Sequence, residues 1–578
     1  MKSRYLLLAA VAAVTLAGCR MSDQPQNQVA DSSTAPASTE WAKFMNDYIE
    51  QTFKANPPFA ATAGRHEFDG QLPDWSEAGI KNEVARLTNA VAAAEKFDPA
   101  KLSENERFER AYLIAQAKGS LFFIDAADQA HKNPAYYNGS LDPSTYVVVP
   151  YAAPEVRLKA YTRYLEAIPM AAQRIRENLR TPLPMSFVDY GKSAFGGYAD
   201  YYPGDGLKAF AGVGNGQEQE ALKTASTNAA TAMHSLADWL EQQRPKANND
   251  FALGAAKFQQ MLYDTEMVDT PIAELERIGR ADLDSNLKLL TEACGRWAAG
   301  MTIMQCMEKM NANKPEGGAV AAARVQLTGL KQFIVDKDLV TIPGTEEAKV
   351  EEAPAYNRQN FAYINIPGPY EKGLPSVYYI APADPTWPKA VQDGFVPGKA
   401  DLLFTSVHEV WPGHFLNFLH SNRSPFIFGK VFVGYAFAEG WAHYSEEMMR
   451  VAGVGGGTDE TMIGQLSNAL LRDCRFLSAI GMHTGSMTQE QSYQMFRNQC
   501  FQDEGNAKQQ AARGTYDPAY LNYTMGKLMI RKLRDDWIAS RGGRTAWKAF
   551  HDQFLSYGGP PIPLVRQQMM GGDAKAVF

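Results

Sequence analysis

Hydrophobic and polar positions change texture three times along this chain. Behind the short basic start Met1–Arg4, residues 5–16 form an apolar run. That run is too short to cross a bilayer as a stable helix, so it reads as a signal peptide. Residues 21–39 are rich in Ser, Gln, Asp, Ala and Pro and carry almost no large apolar side chain. They cannot bury a core and read as a disordered tether, with the folded body starting near Trp41. Apolar residues then recur with helical periodicity, which predicts helices over 84–96, 103–121, 151–179, 216–262, 271–310 and 317–333. Thr270 and Pro271 suit the N-cap and first position of one of them. Residues 181–206, rich in Pro, Gly, Tyr and Ser, interrupt the series and predict a long loop. After Asp338 the texture changes again. Residues 340–342, 361–366 and 376–380 are β-branched and aromatic, separated by Pro and Gly, and predict a small antiparallel sheet. Helical patterns return over 402–420, 436–451 (stopped by Gly453), 461–485, 488–501, 519–541 and 544–557. The expected fold is therefore mainly α with one small sheet directly before the helix at 402–420.

Composition narrows this picture. The chain has 578 residues, 45% of them hydrophobic, enough for a large core or for two lobes sharing one. Its net charge of −7 is spread without runs, and no basic patch or stacking motif suits nucleic acid. At the N-terminus, Leu16-Ala17-Gly18-Cys19 resembles the lipobox of bacterial lipoproteins. The resemblance implies cleavage before Cys19 and lipidation of that residue. Several acyl chains, each buried methylene adding roughly 0.8 kcal/mol, would then hold the protein on the membrane. Arg20, in place of Asp after the cysteine, resembles sorting to the outer membrane, facing the periplasm. The other four cysteines, Cys294, Cys306, Cys474 and Cys500, are an even set in an exported chain. Sequence proximity favours Cys294–Cys306 and Cys474–Cys500 among three possible connectivities.

The chemistry concentrates in two helices. Residues 408–414 read His-Glu-Val-Trp-Pro-Gly-His, and Glu439, His443 and Glu446 follow on a second helix. Five of the nine histidines fall between His408 and His483. Two imidazoles, one carboxylate and an open position are what a hydrolytic zinc site needs. Glu439, His443 and Glu446 share one helical face. Glu439, nearest the helix start, is the best third ligand, while His443 and Glu446 suit hydrogen bonds that orient the ligand histidines. In a straight helix His408 and His414 would lie about 240° apart and could not converge. Pro412-Gly413 supplies the expected distortion. Glu409 then stands as general base beside the metal. A polar core network of two histidines and carboxylates is the competing explanation.

The motif pair resembles the domain-of-unknown-function 885 family of zinc-peptidase-like proteins. That family carries His-Glu-x-x-Pro-Gly-His and then Glu-Gly-Trp-Ala-x-Tyr, which stand here at 408–414 and 439–444. Two further blocks are similar: 471–475 leading to 481–483, and 522–527. The resemblance implies a gluzincin-like fold, as in thimet oligopeptidase-like and thermostable-carboxypeptidase-like enzymes, with two helical lobes around a deep channel. It implies zinc on His408, His414 and Glu439, Glu409 as base, Tyr523 and His483 at the oxyanion, and Arg475 and Lys527 as substrate anchors. The chain departs from the family pattern at Phe415, Asn417, His443 and Ala479, and none of the implied ligands is lost.

The organisation expected is a signal peptide over 1–18, a tether over 19–40, a helical region over 41–335 and a catalytic region over 336–578, the last two forming one compact unit. The function expected is a zinc metallopeptidase acting on oligopeptides at the cell envelope. Two alternatives stand beside it: a non-catalytic envelope lipoprotein binding peptides or a partner, and a zinc amidohydrolase acting on a non-peptide amide.

Overall fold

The computed structural model describes residues 39–354, 358, 361–571 and 577–578, so the expected signal peptide, Cys19 and most of the tether lie outside the described residues. The chain is mainly helical from Thr39–Ala55 onward, with one three-stranded sheet. Local chemistry explains many helix ends. At Ser103 the side chain accepts from the Glu106 N–H at 3.3 Å, while the Ser103 N–H donates to the Glu106 carboxylate at 2.8 Å. This reciprocal cap satisfies two amides that the first helical turn leaves without partners. Gly453, at φ +91°, closes the Tyr435–Ala452 helix in the left-handed conformation that glycine adopts without penalty.

Residues 181–206 are not a loop. Met185–Tyr201 is a helix whose buried face is Phe187, Val188, Gly191, Phe195 and Ala199. Gly191 is needed there: a Cβ would lie 2.7 Å from Leu240 and 3.0 Å from Pro134. Close packing against the Gly216–Gln243 helix overrides a composition that reads as irregular. The segments predicted over 216–262 and 271–310 each divide in two, at Gln243/Ala255 and at Trp297/Ile303. Pro271 itself occupies the N-cap position, one residue later than expected.

The sheet is mixed, not antiparallel. Strands β1 (Ala348–Glu352), β2 (Ala362–Asn365) and β3 (Ser376–Ile380) run in the order β1-β3-β2, with β1 parallel and β2 antiparallel to β3. The predicted strand at 340–342 does not exist, because the Thr341 backbone N–H donates to Asp552 and the Leu339 carbonyl accepts from His551. The strand that does form, β1, hides behind Lys349, Glu351 and Glu352. It is an edge strand with only Val350 buried, and edge charges are a common guard against further pairing.

Three larger cores organise the rest. One unites Trp41–Ala130 positions with Phe426, Phe428, Phe432 and Leu564. A second lies among residues 75–240. The largest joins 258–340 to the helices that carry the histidine motif. Apolar packing therefore passes straight through position 335. Disulfides Cys294–Cys306 and Cys474–Cys500 close this largest core, with Cα separations of 5.9 and 6.4 Å. Non-reducing peptide mapping of the exported protein should recover both pairs, and four free thiols would contradict it.

Candidate metal centre

The helix predicted over 402–420 breaks into two, Lys399–Glu409 and His414–Ser421. The Trp411–Pro412 peptide is cis, and the Gly413 N–H returns to the Val407 carbonyl at 2.9 Å. A Cβ on Gly413 would sit 1.8 Å from the His408 carbonyl oxygen, so only glycine fits this fold-back. Trp441 Nε1 donates to the Pro412 carbonyl at 2.7 Å and fastens the break to the neighbouring helix. The second helix starts at His414. Its imidazole therefore turns back to meet His408, with ring centroids 4.8 Å apart and planes at 88°.

Glu439 arrives from the Tyr435–Ala452 helix. Glu266 holds that helix's start by accepting from the Ala436 N–H at 3.2 Å and from Asn522 at 3.0 Å. Gly440 and Gly526 let it lie against the Asn522–Ala539 helix, since a Cβ on Gly440 would be 2.5 Å from the Gly526 Cα. Gly440→Ala should force these backbones apart, destabilise the fold by about 1–3 kcal/mol and weaken metal binding through the adjacent Glu439. Denaturation and metal titration of the variant check this, and unchanged values for both would sink it.

The three groups converge. Glu439 Oε2 lies 3.2 Å from His408 Nε2 and 3.3 Å from His414 Nε2, and the three donor atoms all fall within 4.8 Å of one another. Glu439 Oε2 is buried and makes no hydrogen bond of acceptable geometry. A buried carboxylate oxygen aimed at two imidazole nitrogens fits a cation between them. On the far side of His408, its Nδ1–H donates to Glu446 Oε1 at 2.7 Å, which fixes the tautomer and leaves Nε2 to face the pocket. Burial pulls the His408 imidazole down, but Glu439 and Glu446 outweigh it and push it up to about 9. Burial also opposes charge on Glu439, yet His414 and His408 hold it well below the usual carboxylate range. The pocket is built to hold positive charge. Glu409 is half-buried, and burial raises its carboxyl against the opposing pull of His414 and His408.

The expectation for His443 needs correction. Neither of its ring nitrogens makes a hydrogen bond to a ligand histidine. It is fully buried, its Nδ1 lies 3.5 Å from Glu446 Oε2, and burial followed by Lys527 lowers it to about 4. It is thus a neutral group packed against the carboxylate that orients His408. Arg472 is the charged neighbour of that carboxylate, at 3.5 Å.

Tyr523 stands beside the centre, its ring stacked on His408 at 6.3 Å and 19°. Arg475 lies 4.8 Å from the Tyr523 ring centre, Arg513 5.9 Å and Arg472 6.0 Å. Arg472 and Arg513, together with Tyr435, were not read from the sequence as site residues. Arg472 stands three residues before Arg475 on the same helix, the spacing that points to it. Two expected site residues are engaged elsewhere. His483 donates from Nε2 to the Gly514 carbonyl at 2.7 Å and accepts at Nδ1 from the Leu253 N–H at 3.4 Å, so no donor remains for an oxyanion. Lys527 is buried against Asp282 in an ion pair, with its ammonium committed to the core.

Comparisons with known proteins agree on fold and family. The model of the family described as "Bacterial protein of unknown function (DUF885)" matches residues 57–569. No curated protein matches the sequence. Two solved structures are similar over nearly the whole chain. One is a "putative lipoprotein of unknown function" from Shewanella oneidensis, 24% identical, covering 92% of this chain and 100% of its own, with a TM-score of 0.76. The other is a "putative lipoprotein" from Colwellia psychrerythraea, 16% identical, covering 92% and 98%, with a TM-score of 0.77. Among the described residues, no helix is long and apolar enough to cross a membrane.

Proposed function

We propose that this chain, which belongs to the DUF885 family, is a zinc-dependent metallopeptidase that hydrolyses oligopeptides at the bacterial cell envelope. The observation that carries the reading is the convergence of His408, His414 and Glu439 within 4.8 Å, with Glu409 next in sequence to one ligand. Two imidazoles and one carboxylate leave a fourth position open, the arrangement of hydrolytic rather than structural zinc. Zinc held there would supply Lewis acidity, lowering the pKa of a coordinated water to about 7.

The chain's own residues do the remaining work. Glu409 takes the proton of the attacking water and passes it to the leaving amine. Glu446 keeps His408 oriented. The Tyr523 hydroxyl donates to the oxyanion as it develops, a contribution that matters in the transition state more than in the bound substrate. At the N-terminus, Cys19 would carry the lipid that holds the enzyme on the outer membrane, facing the periplasm.

The mature protein should bind one zinc per chain and cleave members of a peptide library. His414→Ala should lose the metal. Protein that binds no zinc, or that cleaves muropeptides and not peptides, would overturn the reading.

A further inference from the structure

Beside the metal pocket lies an excess of positive charge that the catalytic chemistry does not use. Arg472 and Arg475 sit one turn apart on the Asp459–Thr484 helix, 8% and 7% exposed, and both guanidiniums approach Tyr523. Arg513 joins them from the Glu504–Tyr516 helix, but Asp517 neutralises it at 2.9 Å. Arg475 has no such partner. Its Nε donates to the neutral Gln510 amide at 2.8 Å, and it takes part in no ion pair among the described residues. Arg472 donates twice to Asn468, shares Glu446 with His408, and its buried Nε has no hydrogen-bond partner. Burying a guanidinium without a counter-ion is costly, because the charge loses its hydration and gains nothing in return. Burial and the neighbouring Arg513 accordingly pull Arg475 down to about 10. A site that tolerates this is shaped for an anion that arrives with the ligand.

We propose that Arg475 and Arg472 bind the C-terminal carboxylate of the peptide substrate, which makes the enzyme a carboxypeptidase that removes one to three residues. The proposal rests on the hydrolase reading above and adds the substrate end that it selects. His408 lies 6.3 Å and Arg475 4.8 Å from the centre of the Tyr523 ring, so the two are at most about 11 Å apart, about three residues of extended chain. A carboxylate held there places the first few peptide bonds from the C-terminus at the metal pocket, and guanidinium forks match carboxylate geometry in a way a lysine would not. Tyr435, which accepts from Arg513 at 2.9 Å and packs on Tyr523 at 5.8 Å, holds the other wall.

The test separates this proposal from the hydrolase reading by measuring binding as well as turnover. Zinc-loaded Glu409→Gln protein is titrated calorimetrically with three probes: an N-acetylated tetra-alanine with a free C-terminus, its C-terminal amide, and an amidated peptide ending in Glu. The free acid should bind about 10²-fold more tightly than either amide, since a desolvated charge pair is lost with the carboxylate. Adding Arg475→Ala should abolish that preference by weakening only the free acid, and Arg475→Lys should restore part of it. Equal binding of acid and amide, binding of none of the three, or binding of the Glu-ended amide as tightly as the free acid would each overturn the proposal. Cleavage by the wild type of internal bonds in an amidated peptide would also overturn it, while leaving the hydrolase reading intact.

Discussion

Glu409→Gln should retain zinc and lose hydrolysis by at least the ~10²–10⁴-fold typical of one general base. The substitution removes the proton acceptor and little else. Glu409 is the last residue of its helix, and the metal donors come from its neighbour His408, from His414 beyond the break, and from Glu439 on another helix. Glutamine has the same shape, so the fold-back through Pro412 and Gly413 should be undisturbed. The Glu446 hydrogen bond that orients His408 lies on the side of the ring away from the pocket and should also survive. Zinc stoichiometry and peptide turnover measured on the same preparation decide the matter. Full activity with zinc bound would remove Glu409 as base, and loss of zinc alongside activity would mean that its carboxylate supports the metal. Tyr523→Phe should cost less, lowering kcat with KM little changed, because its hydroxyl acts on charge that develops only as the reaction proceeds.

The motif made the centre legible because each of its parts breaks a rule that ordinary helices obey. Histidines six apart cannot meet on a straight helix, so Pro412-Gly413 had to interrupt it, and the structure divides the helix there. Glu439 and Glu446 lie two turns apart on one face, so His408 stands between them, Nε2 toward one and Nδ1 toward the other. Elsewhere, tertiary packing overrode local pattern. The Met185–Tyr201 helix is hidden in Gly and Tyr, and its buried face becomes visible only once the Gly216–Gln243 helix lies against it. Strand β1 looks like a charged loop because an edge strand buries so little, and 340–342 looks like a strand although its backbone is bonded to side chains of the Trp547–Ser556 helix instead. The arginines around Tyr523 come from two helices about 40 positions apart, a juxtaposition that no local spacing announces. His483 and Lys527 show the converse error: a polar residue in a shared motif can be kept for the fold.

Lys527→Ala should therefore act on stability and not on substrate. Lys527 and Asp282 are 1% and 5% exposed, and their ion pair joins the Asn522–Ala539 helix to Ile272–Trp297. Burial opposes the charge on Asp282, yet Lys527 and Arg531 together hold its carboxyl well below the usual range. Asp473, which accepts from Asn286 at 2.7 Å, is instead pushed up by burial and by the charge on Asp282. Asp282 is thus the member of the cluster that favours its charged form, with Lys527 as its buried counter-ion and half-exposed Arg531 at 3.1 Å as its second partner. Removing one member of a buried pair leaves the other charge without full compensation and typically costs 3–5 kcal/mol, about half of an ordinary fold's stability. The unfolding midpoint in denaturant should fall accordingly, while kcat/KM per folded, zinc-loaded molecule stays essentially unchanged. Adding Asp282→Asn should recover much of the loss, because the stranded charge disappears with it. A raised KM at an unshifted midpoint would return Lys527 to the substrate-anchoring role expected from its motif.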